Sequence, residues 1–195
     1  MKMEETFAEE QKIFKAKLNG IPDSLKEFDD NEHPPELIDE YWDLYESFPS
    51  IHRKTELINA YSMLEHGLCS LCEAYEKTIP NGKPLSDFKS RNNVANYKKY
   101  LASQVGIVLP KDEMIEEINF IQQIRNKLIH NGGVINTNNT ALVKYINEHE
   151  MLALTDAKVI SISAGYTVSC YQLIHGFFIQ VFSLMPKKNI TKQSR

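Results

Sequence analysis

The sequence predicts an all-α protein, an antiparallel helical bundle with a small β-hairpin before its last helix. Two observations carry this. Glycine and proline together supply only 16 of 195 residues, against about 12% in average chains. Apolar residues also recur at steps of three and four along several long stretches, the period of a helix that buries one face. Leu, Ile, Val and Phe make up 53 of the 195 residues. That is well above the roughly 20% below which a chain tends to stay disordered. At about 100–200 residues per domain the length suits one domain. We divide it into a helical N-terminal extension over 1–50, a bundle core over 51–185 and a basic polar tail over 186–195.

Residues 2–18 are charged with scattered apolar positions, a surface-helix pattern. Gly20, Pro22, Asp29, Asp30, Pro34 and Pro35 mark a loop. Pro35 suits the first turn of a helix running to Ser47, with Leu37, Ile38, Tyr41, Trp42 and Tyr45 on its inner side, interrupted at Pro49. The strongest periodicity runs from Ile51 to Thr78 through Leu57, Tyr61, Leu64, Leu68, Leu71 and Tyr75. Pro80, Asn81, Gly82 and Pro84 end that helix. A shorter helix covers 92–105, and one over 111–130 stops at Asn131, Gly132 and Gly133. Residues 141–147 and 157–163 carry enough alternation and β-branching to pair as a hairpin. Ala164 to Met185 is the final apolar helix.

The net charge of −4 removes a broad basic surface for nonspecific nucleic-acid binding, while leaving room for a local basic cleft. No apolar run approaches the 18 residues of a membrane helix. Met1 to Glu10 carries four glutamates and no apolar stretch, unlike a signal peptide. Three cysteines, an odd number, fit a reducing compartment better than a disulfide framework. These features together point to a cytoplasmic protein.

Chemistry concentrates on the 111–130 helix. At about 100° per residue, Asn119, Gln122, Gln123, Asn126 and His130 share one side. Met114, Ile118, Ile121, Ile124, Leu128 and Ile129 spread over the other. Arg125 falls inside the apolar arc, between Ile118 and Ile121, where a guanidinium is costly unless paired or lining a cavity. Glu65 occupies the matching sector of the 51–78 helix, between Ile58 and Cys72, so a bidentate Glu65–Arg125 pair would satisfy both. Two readings stand open. The pair is structural, with Asn126 and His130 capping the helix end, or Arg125, Asn126 and His130 line a phosphate site. Ordinary exposed helix faces use Lys and Glu rather than a stripe of amides ending in His.

The stretch from Phe120 to Gly132, FIQQIRNKLIHNG, resembles the signature of HEPN domains (higher eukaryotes and prokaryotes nucleotide-binding), an Arg followed by a polar residue and then, a few residues on, a His. The segment from Ala60 to Leu68, AYSMLEHGL, resembles the family's preceding core helix with its acidic position. The resemblance covers about residues 51–185. It implies a metal-independent endoribonuclease without cofactor, of the kind found in toxin–antitoxin and phage-defence systems, acting on RNA as a homodimer with a composite site. It maps Arg125 to the phosphate-binding arginine, Asn126 to the polar helper, His130 to the catalytic histidine and Glu65 to the supporting acidic residue. It also implies an antitoxin or other neighbouring-gene partner; DNA, lacking the 2′-OH, is not expected as a substrate, and the lack of a long apolar run leaves no membrane partner expected. Some family members are non-catalytic modules that bind nucleotide, RNA or protein, which is the alternative reading.

The chemistry is consistent with those residue types. RNA carries its own nucleophile, the 2′-OH. Cleavage to a 2′,3′-cyclic phosphate needs a base, an acid and positive charge on the phosphorane. One histidine holds one protonation state at a time, so two copies would supply base and acid.

Other signals are weaker. Cys69 and Cys72 have a metal-like spacing but no second pair, and no Glu-x-x-His occurs, against a di-iron bundle. His149 reads as exposed, His175 as a core or groove histidine, and Asn92, Asn93, Lys98 and Lys99 as surface. Tyr171 could face the motif helix. No P-loop, Gly-x-Gly-x-x-Gly or Gly-x-Ser-x-Gly is present.

Overall fold

Leu57, Tyr61, Leu64 and Leu68 step by three and four along one stretch, and their burial makes it the central helix, α1 (Phe48–Glu76). The computed structural model of the chain describes residues 47–88, 92–109, 113–136, 138 and 140–185. The helices expected over 2–18 and 35–47, apart from Ser47, lie outside the described residues, as does the tail. Pro49 sits within the first turn of α1. A proline there removes an N–H that has no intrahelical acceptor anyway.

Asn92 caps the next helix, α2 (Asn93–Tyr100), its Oδ1 accepting the Ala95 N–H at 3.1 Å. The chain widens into a π-type turn over Leu101–Val105 and stops at Gly106. Helix α3 (Glu113–Asn131) buries Ile115, Ile118, Ile121, Ile124 and Leu128. Ile129, expected on the same face, is exposed instead. Gly132 and Gly133 end α3 with φ of 61° and 89°, a backbone region open to glycine at little cost. The Gly133 N–H then reaches back to the Lys127 carbonyl at 2.9 Å.

The segment 141–147 is not a strand. It forms helix α4 (Thr140–Glu148), which buries Leu142 and Ile146 four residues apart. A strand burying those two would carry Lys144 into the core on the same face. The hairpin is made by β1 (Leu152–Leu154) and β2 (Ile160–Ile162), antiparallel with Ala153 opposite Ser161. The chain leaving α3 joins its edge: Ile135 N–H donates to the Lys158 carbonyl, and Ile160 N–H to the Gly133 carbonyl. The end of the motif helix is thereby tied to the hairpin. Helix α5 (Tyr166–Ser183) closes the fold.

Helix α1 packs on α2, α3, α5 and β2. Helix α3 runs antiparallel to α5: Met114 lies by Gly176, while Ile121 shares a cavity with Tyr166. Helices α1 and α5 ascend together, with Glu56 by Tyr171 and Gly67 beneath Phe178. No helix among the described residues is long and apolar enough to cross a membrane.

Gly67 sets the α1–α5 spacing, because a Cβ there would stand 2.5 Å from Phe178 Cζ. Two terms compete in Gly67→Ala. Helix propensity gains about 1 kcal/mol, and overpacking costs about 1–3 kcal/mol. The clash wins by about 1 kcal/mol, so Tm should drop by about 2–4 °C in a thermal melt. In a Phe178→Ala background the same substitution should raise Tm instead.

Burial pushes the Cys72 and Cys170 thiols up to about 12, while Cys69 is only half-buried. In the unfolded chain both thiols ionise near 9. The unfolded state therefore loses protons first, and these groups erode stability as pH rises from 9 towards 12. At pH 8 iodoacetamide should modify Cys69 in the native protein and spare the other two, as read by peptide mass spectrometry. Equal labelling of all three under native conditions would contradict their burial.

Candidate functional site

Arg125 leaves α3 towards α1, as its position among apolar residues requires. Its guanidinium carbon lies 5.8 Å from the centre of the Tyr61 ring. Nη2 stands 3.7 Å from Glu65 Oε2. Nη1 donates to Asn126 Oδ1 at 3.0 Å. The expected Glu65–Arg125 pair is present, but as one long contact and not a bidentate fork. Charge-assisted N–H···O bonds normally measure about 2.7–2.9 Å. Both side chains remain about a fifth exposed, at 23% for Arg125 and 20% for Glu65. The pair is thus partly buried, and the length of its contact keeps it weak.

Two buried polar atoms here, Arg125 Nε and the Tyr61 hydroxyl, have no hydrogen-bond partner among the described residues. The Gln122 carboxamide lies near that hydroxyl without closing a hydrogen bond of normal geometry. It accepts instead from Asn92 Nδ2 at 2.9 Å. Burial, then the Glu65 charge, push the Tyr61 phenol upward, so it stays protonated.

The structure therefore joins Arg125, Asn126 and Glu65. His130 stands one turn beyond Asn126, exposed on the last turn of α3. It makes no hydrogen bond or ion pair with the other three among the described contacts. Sequence reasoning missed the α2 side of this site. Asn93 donates to Glu65 Oε1 at 3.4 Å, and Asn92 both caps α2 and grips Gln122. An Asn-Asn pair just before the first apolar residue of a helix is a capping signal. It was the available clue that these residues are not plain surface.

Two further expectations are corrected, and the side that Tyr171 faces, which spacing leaves open, is decided. His149 is half-buried, its Nδ1 accepting the Met151 N–H at 3.2 Å and its ring set against Tyr166. His175 is exposed on the outer side of α5, because Ile174 and Phe177 take the inner side. Tyr171 faces α1, donating to Glu56 Oε2 at 3.2 Å. Cys72 points at the Tyr97 carbonyl and Cys69 at Glu73. Among the described residues no three His, Cys, Asp or Glu side chains gather as a metal site.

No protein-family model matches the chain, and neither does any curated protein or solved structure compared with it.

The long Glu65–Arg125 contact, about a fifth exposed on each side, predicts weak coupling. A double-mutant cycle with Glu65→Gln and Arg125→Met, read by urea denaturation, should give an interaction energy of about 0.5 kcal/mol. A coupling of about 3 kcal/mol would instead mark a buried structural pair.

Proposed function

We propose that the chain is a metal-independent endoribonuclease of the HEPN type, working as a homodimer in a toxin–antitoxin or phage-defence setting. The observation that supports this most is the state of Arg125. Its guanidinium is held in place by Tyr61 and Asn126, yet its carboxylate partner sits 3.7 Å away. A phosphate oxygen can take over from a contact that loose. His130, exposed one turn on, is accessible to RNA.

On this reading a neutral His130 accepts the 2′-OH proton as that oxygen attacks phosphorus. The bond from phosphorus to the 5′-oxygen breaks, and a protonated His130 of the second copy gives its proton to the leaving oxygen. Arg125 from each copy offsets the charge gathering on the phosphorane. Asn126 orients the guanidinium. The products are a 2′,3′-cyclic phosphate and a 5′-OH, and DNA is inert because it lacks the nucleophile. In a single chain His130 makes no hydrogen bond or ion pair with Arg125 or Asn126 among the described contacts. That observation favours a second reading, a module that binds a nucleotide, an RNA or a protein without cleavage.

The test is a gel of total RNA and tRNA incubated in EDTA with wild type, His130→Ala and Arg125→Ala. Fragments with cyclic-phosphate ends should come from wild type, reduced by about 10²–10⁴-fold in His130→Ala. No fragments from a folded dimer would move the assignment to the binding module. Equal cleavage by His130→Ala would remove that residue from the chemistry.

A further inference from the structure

Glu117 lies on α3 two turns before Arg125, and it faces a different neighbour. It lines a cavity of about 160 Å³ between α3, α5 and the end of α4, together with Ile121, His149, Tyr166, Ser169, Cys170 and Leu173. Ile121, Tyr166 and Cys170 are buried and form the floor, while Glu117, His149, Ser169 and Leu173 are half-buried and form the mouth. A dry engineered cavity of roughly 150 Å³ takes up benzene, so this one has room for an organic group of about six heavy atoms.

Hydrogen-bond accounting fixes the polarity. The Tyr145 hydroxyl donates to Glu117 Oε1. Its single proton is then used, so the Tyr166 hydroxyl, 3.2 Å away, must donate to Tyr145. Both phenol protons are committed in the direction of the carboxylate. Glu117 has no cationic partner among the described residues. Its charge reaches the floor of the cavity: after burial, it is the next cause holding the Cys170 thiol up. His149 Nδ1 accepts from Met151, so the neutral ring carries its proton on Nε2.

The chemistry of the occupant follows from what each class would meet. An anion would face an uncompensated carboxylate in a low-dielectric setting. A neutral apolar molecule would displace water from the half-buried carboxylate and give it no donor in exchange. An inorganic cation would exchange its water shell for one carboxylate and mostly apolar walls, far short of the six to eight oxygens calcium takes. An organic ammonium ion satisfies both the carboxylate and the apolar walls. Its N–H groups or its charge meet Glu117, and its carbon skeleton meets Ile121, Leu173 and the rings of Tyr166 and His149. We propose that this cavity is a binding site for a small organic ammonium ion anchored by Glu117, separate from the Arg125 site.

The probes are n-butylammonium chloride, butan-1-ol and sodium butyrate, titrated into the full chain and followed by ¹H–¹⁵N NMR. Butylammonium should shift the amides of Tyr166, Ser169 and Cys170 with saturation in the millimolar range, which suits so few atoms. Butanol should bind about tenfold more weakly or less, and butyrate should not bind. Glu117→Gln keeps an acceptor for the Tyr145 hydroxyl, and it should weaken butylammonium about tenfold while leaving the spectrum folded. Ser169→Phe fills the mouth with Glu117 intact and should abolish the shifts. The proposal is overturned by an unresponsive wild type, by butanol binding as tightly as butylammonium, or by unchanged affinity in Glu117→Gln. If Glu117→Gln does not fold, Ser169→Phe decides alone: persisting shifts overturn the site, and their loss upholds it.

Discussion

The burial of α1 on several sides at once is the constraint on which the other elements depend. Leu57, Ala60, Leu64, Leu68 and Cys72 are fully excluded from solvent, because α2, α3, α5 and β2 all lean on this helix. Each such leucine contributes about 1.5–3 kcal/mol on leaving water, whereas the loose Glu65–Arg125 contact contributes about 0–1 kcal/mol. The apolar seam therefore sets the distance between α1 and α3, and the ion pair accepts the geometry it is given. This is why the guanidinium can be held near α1 without being locked to its carboxylate.

Much of the candidate site was legible because helical spacing is a rigid rule. Arg125 among isoleucines on one helix and Glu65 beside Ile58 and Cys72 on another had to meet once those faces packed, and they do. Gly132 and Gly133 marked the end of α3 correctly, since only a left-handed backbone turns the chain there. The α2 contacts were not legible. Whether Asn92 reaches Gln122 depends on where a 16-residue connection returns the chain, and local pattern does not encode that. The hairpin shows the same division. The strand at 157–163 could be read from its β-branching, but 141–147 was assigned to it wrongly, because short apolar runs fit both periods. What decided it was Leu142 and Ile146, four apart and both buried.

Helix α3 carries two ionisable side chains that face opposite chemistries. Arg125 is met by a carboxylate, an amide and an aromatic face. Glu117 is met by a hydroxyl chain, Tyr145 and then Tyr166. Hydroxyl donors stabilise a carboxylate without cancelling its charge, so the field of Glu117 persists into its cavity. The charge on Arg125 is partly cancelled by Glu65. The same helix thus presents an intact negative charge at the mouth of a small cavity and a partly neutralised positive charge at the α1–α3 seam. The first suits a small ion, and the second a partner large enough to supply its own contacts.

For the ribonuclease reading, the electrostatics make assembly and substrate binding one problem. The chain is acidic overall, at −4, so its far field repels RNA, and attraction must be local to Arg125. At this seam one chain offers the Arg125 guanidinium, already shared with Glu65, and the His130 imidazole, which makes no hydrogen bond to it among the described contacts. Two copies joined across the motif face would set two guanidinia against each other, a like-charge arrangement that costs free energy until an anion enters between them. A phosphate supplies that anion. Substrate would then favour the dimer, and the dimer would favour substrate, by the same coupling free energy. An arginine held this loosely by its own carboxylate is suited to that exchange, because the partner it gives up costs little.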